Sequence, residues 1–100
     1  MSGQPTASPR PWAEGEWLRH VAAARSALIK RDVIARSLAR GQPSGGTAEG
    51  AEARREWAAW GAKARAHLHR LEALSPAAPE GTRAPAMADR LRAWLRETAP

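Results

Sequence analysis

Apolar residues return at helical spacing through the first uninterrupted stretch, Trp12 to Arg40, which predicts a long helix. Projected at about 100° per residue, Trp17, Val21, Ala24, Leu28 and Ala35 fall on one seam, and Leu18, Ala22, Ile29 and Val33 on a second roughly 100° away. Glu14, Arg25, Asp32 and Arg36 lie between the seams; Asp32 and Arg36, one helical turn apart, are expected to pair. The far side carries Arg19, Ser26, Lys30 and Ser37, a solvent face. An apolar arc this wide exceeds what one neighbouring helix covers, so a second partner is expected, either a later helix or another subunit.

A second helix is predicted from Thr47 to Leu74. Ala53, Trp57, Trp60, Ala64, His67, Leu71 and Leu74 alternate by four and three, the seam of a bundle or coiled coil. Gly61 and Ala64 place small residues beside the indoles, a large-beside-small arrangement that lets facing helices interlock. His67 reads as a hydrogen-bonded seam residue that fixes register, whereas His69 and His20 read as surface residues. Two positions apart on a helix, His67 and His69 diverge by about 200°, which argues against a shared metal ion. A shorter third helix is expected over 85–97, with Met87, Leu91 and Trp94 on one side.

Breakers punctuate these segments. Pro11 suits a first helical position, Gly41 in "GQPSGG" suits the left-handed residue that ends a helix, and Thr47 suits an N-cap with Glu49 and Glu52 following. The predicted organisation is a disordered head (1–11), a helical hairpin (12–74), a linker (75–84) and a C-terminal helix (85–97). Matched helix lengths and a short connection make the hairpin antiparallel. The fold class is all-α: a long antiparallel helical hairpin plus a short C-terminal helix, in an oligomeric bundle or ring.

Composition narrows the function. One hundred residues form one small domain, for which oligomerisation is the obvious source of added stability. Cysteine is absent, which removes disulfides and thiolate metal sites. No apolar run approaches a membrane span, and "MSGQPTASPRP" lacks the apolar core of a signal peptide, so a cytoplasmic protein without membrane contact is expected. "SGGTAEG" does not match a phosphate loop, and Glu14 and Asp32 both have arginine neighbours, so neither catalysis nor a cofactor is expected.

The formal net charge is +6, and all but Lys30 and Lys63 of the 16 basic residues are arginine, a bias that GC-rich codon usage alone can produce. The hairpin tip would gather Arg36, Arg40, Arg54 and Arg55, a candidate nucleic-acid-binding cluster reading phosphates more than bases. The candidate protein-interface residues are Trp17, Leu18, Val21, Leu28, Ile29 and Val33 on the first helix and Trp57, Trp60 and Leu71 on the second.

The stretches "WLRHVAAARSALIKRDVIARSLAR" and "AEARREWAAWGAKARAHLHRLEAL" together resemble, in architecture, the oligomerisation hairpin of small terminase subunits. Those proteins form rings and present DNA to the packaging motor of tailed phages and gene transfer agents. The resemblance implies a non-enzymatic, homo-oligomeric protein that binds DNA weakly. The second function class is a helical adaptor or inhibitor that binds another protein through its second apolar seam, with the charge incidental.

Overall fold

The computed structural model describes residues 11–44 and 46–97. Among them there are three α-helices and no strand: α1 (Glu14–Ala39), α2 (Ala48–Leu74) and α3 (Ala84–Arg96), with a single 3-10 turn at Ser75–Ala77. Apart from Pro11, the expected disordered head lies outside the described residues. Helix α1 begins at Glu14 rather than Trp12; Trp12 lies before it and packs against Trp17, ring centroids 5.8 Å apart with the planes tilted by 50°. Glu14 and Glu16 then occupy the first turn, where the helix dipole favours carboxylates.

The hairpin tip follows its local chemistry. Gly41 adopts φ 75°; its N–H reaches the Leu38 carbonyl and the Gln42 N–H reaches Ser37, the paired bonds that close a helix on a left-handed glycine. The Thr47 hydroxyl accepts the Gly50 N–H at 3.0 Å and so caps α2. Pairs across the hairpin run in opposite directions: Glu16 meets Arg70, His20 meets His67, and Arg31 meets Trp57. The long helices are therefore antiparallel.

Helix α3 returns from the base beside both. Arg92 bonds Glu72 on α2, and the Trp94 indole N–H donates to Asp32 Oδ2 on α1 at 2.9 Å. One core results: Trp17, Val21, Ala24, Ala27 and Leu28 from α1, Ala64, Leu68, Leu71 and Leu74 from α2, and Ala84, Ala88 and Leu91 from α3. The first predicted seam of α1 is thus covered within the chain by α2 and α3.

Three expectations about side chains need correction. The buried line of α2 runs through Gly50, Gly61, Ala64, Leu68 and Leu71, so Gly61 and Leu68 replace Trp60 and His67 as its inward residues, and both tryptophans are half-buried at its flanks. The space beside Gly61 takes Arg31, not an indole: a Cβ at Gly61 would lie 3.6 Å from Arg31 Cδ. Asp32 serves Trp94, and no ion pair joins it to Arg36 among the described residues.

Candidate interaction surface

Arg31 positions the third helix. It is 3% exposed, the one buried charged side chain among the described residues. Its guanidinium donates to the carbonyls of Trp94 (2.9 Å), Leu95 (3.1 Å) and Glu97 (3.3 Å) at the C-terminal end of α3, the first of which also accepts the Glu97 N–H, and lies 4.8 Å from the Trp57 ring. A cation there satisfies orphan carbonyls and complements the helix dipole together. The missing side chain at Gly61 leaves room for it: a Cβ there would come no closer than ordinary contact, 3.6 Å from Cδ. Its Nε and the Trp57 indole N–H, both buried, have no acceptor among the described residues.

With α3 so fixed, the second seam of α1 remains open. Leu18 is 52% exposed, Ile29 48% and Val33 49%, and no other large apolar residue among the described ones is exposed. Ala22 is exposed between them. A run of adjoining shallow depressions leads from this seam to α3: one on α1 alone is bordered by Ala22, Arg25, Ser26, Ile29 and Lys30, the next, between the helices, by Arg25, Leu91 and Trp94, and Met87 and Arg90 border both that one and a third beside Arg83. No carboxylate lines it. The remaining interface candidates lie elsewhere: Trp17, Val21, Leu28 and Leu71 are buried in the chain's own core.

The polar features divide into two groups. His20 and His67 meet Nδ1 to Nδ1 at 2.9 Å, so one ring donates and the other accepts. His67 does bond across the hairpin as expected, and His20, expected at the surface, is its half-buried partner. Burial, followed by the proximity of His67, lowers the His20 pKa below 6.5; Glu16 opposes this, while Arg70 and Arg19 add to it. No group of three or more His, Cys, Asp or Glu side chains is arranged to hold a metal ion among the described residues.

The second group is cationic. Arg36, Arg40, Arg54 and Arg55 are all exposed near the tip, but Glu49, Glu52 and Glu56 are exposed on the same part of α2 and dilute the cluster. Below them, the ammonium groups of Lys30 and Lys63 lie 4.4 and 4.5 Å from the centre of the Trp60 ring. Sequence reasoning missed both the Lys30–Trp60–Lys63 arrangement and the Arg25–Arg90 groove, because each joins two helices. No helix among the described residues is long and apolar enough to cross a membrane. Comparison with protein-family models, with curated proteins and with solved structures returns no match.

Proposed function

We propose that this chain is a non-enzymatic helical adaptor that acts by binding another polypeptide through the second seam of α1. The observation that supports this is the half-exposure of Leu18, Ile29 and Val33 in one line, while the other large apolar side chains are wholly or partly covered. Isolated exposed apolar residues are ordinary, but an aligned set beside a groove marks an association site. A photo-reactive residue at position 29 should crosslink a polypeptide in cells making the protein, whereas one at Arg65, exposed on α2, should not. Equal labelling from both positions would overturn the reading.

A second reading is supported by the tip. Arg36, Arg40, Arg54 and Arg55 are exposed and form no ion pair among the described residues, leaving them able to contact phosphates. On this reading the chain is an oligomeric DNA-associated protein, in the manner of the small terminase subunits that the hairpin resembles. Four phosphate contacts give a slope of log K against log salt of about −3.6, shallower to the extent that Glu49, Glu52 and Glu56 repel the strand. Changing the four arginines to glutamine should abolish binding without loss of helicity. An unchanged salt slope in that variant removes this reading.

A further inference from the structure

We infer that the groove between α1 and α3 takes one amphipathic helix of a different polypeptide, carrying acidic residues on both sides of its apolar stripe. The inference rests on the adaptor reading and specifies the partner's chemistry. Its apolar part is the line Leu18, Ala22, Ile29 and Val33, which rises over about 23 Å and matches some four turns of helix. Two roughly side-by-side helices with a depression between them form the groove into which a third helix lays its apolar face.

Charge selects the occupant. Arg25, Arg83 and Arg90 border the depression, are exposed, and form no ion pair among the described residues. Arg36 lies one turn beyond Val33 on the same side of α1. The carboxylates nearest this face in the helical projection are Glu14, at the start of α1, and Asp32, which already accepts the Trp94 indole N–H. A partner with flanking glutamate or aspartate supplies the missing counter-charges, and the half-exposed seam supplies apolar contact.

The same charges disfavour a second copy of this chain. In an antiparallel two-fold contact along the seam, the midpoint between Leu18 and Val33 falls beside Arg25, so that arginine would meet its own symmetry copy. A parallel contact would align every cation with itself. Lipid fits less well, because a bilayer needs a flat or convex face and this one is a groove. Nucleic acid fits less well because half-exposed leucine, isoleucine and valine offer nothing to phosphates.

The test uses an eighteen-residue helical peptide with a leucine stripe flanked by glutamates, and its counterpart with lysine for glutamate, each fluorescently labelled. The acidic peptide should bind the full chain at least tenfold more tightly than the basic one. The double variant Arg25→Gln, Arg90→Gln should lose about tenfold in affinity for it and flatten its salt dependence, while Ile29→Asp should abolish binding. All three sites are exposed, so helicity and melting temperature report whether each variant is folded.

Equal binding of the two peptides, or an unchanged affinity in the arginine variant, overturns the inference. So does a wild-type dimer that Ile29→Asp dissociates, or binding to phosphatidylglycerol vesicles that the same substitution removes. Should the peptide fail to bind while the crosslink at position 29 persists, the acidic helix is refuted and the adaptor reading stands. Failure of both refutes both.

Discussion

Replacing Arg31 by leucine tests the account of how α3 is held. The substitution keeps a buried apolar stem and removes the guanidinium with its three bonds to the Trp94, Leu95 and Glu97 carbonyls. A single hydrogen bond from a charged donor contributes about 1.5 to 3 kcal/mol net, but these three share one group and the exposed end of α3 can rehydrate. A cation at a partly buried helix C-terminus contributes up to about 2 kcal/mol, and stacking on a desolvated indole about 0.5 to 2. Against these stand the desolvation of the charge and its unpartnered Nε, which leucine removes. The balance is a loss of roughly 2 to 4 kcal/mol, or roughly 10 to 25 °C in melting temperature for a domain of this size.

The loss should be local before it is global. Amides in α3 should exchange faster with solvent in the Arg31→Leu variant, while those in the α1–α2 contact around Leu71 keep most of their protection. Arg31→Lys should fall between, since an ammonium keeps the charge but not the planar fork. A leucine variant as stable as the wild type, with α3 equally protected, would refute the reasoning: burying the charge would then cost as much as its bonds return.

Gly61→Ala should stabilise the protein by up to about 1 kcal/mol in urea melts, because helix propensity improves and the added Cβ meets Arg31 at ordinary distances of 3.6 and 3.7 Å. A clear loss of stability would mean that the Arg31 side chain cannot yield even that little room. Stability should also rise with pH around His20: its folded-state pKa lies below the ordinary 6.5, so the unfolded chain binds more protons in between. The His20 contribution is complete above 6.5 and is lost as pH falls through the folded value, and His20→Gln should flatten that part of the stability curve. An unchanged slope would place the titration elsewhere.

What could be read from the chain was what neighbouring residues decide. The hairpin, the glycine that ends α1 and the threonine that caps α2 all depend on a few adjacent positions, and the structure has them where the sequence puts them. In the α2 seam Ala64, Leu71 and Leu74 are buried as the spacing predicts, but at the two bulky positions, Trp60 and His67, the next residue, Gly61 or Leu68, takes the inward place. Bulk does not decide burial where the facing residue is long.

The missing signal was present: Arg31 completes the four–three spacing of Trp17, Val21, Ala24, Leu28 and Ala35, and a mid-helix glycine on the facing helix makes room for it. An arginine in a seam reads as solvent-facing unless something in the fold needs its charge. That need, the carbonyl end of α3, arises from a helix more than sixty residues away. His20 escaped for the same reason: alone it is a polar residue among alanines, and only the partner on α2 gives it an interior role.

Because Arg31 and Asp32 fix where α3 ends, the protein differs in stiffness along its length. From the base to that level, three helices brace one another; beyond it, α1 from Val33 to Ala39 and the start of α2 form a two-rod arm of roughly 10 Å. A beam that changes from three rods to two is most compliant just past the step, so thermal bending concentrates near Val33. Arg36, Arg40, Arg54 and Arg55 ride on the compliant arm, whereas the α1–α3 groove sits mostly on the braced part. One end of the molecule can thus adapt its direction to whatever it meets while the other keeps its shape.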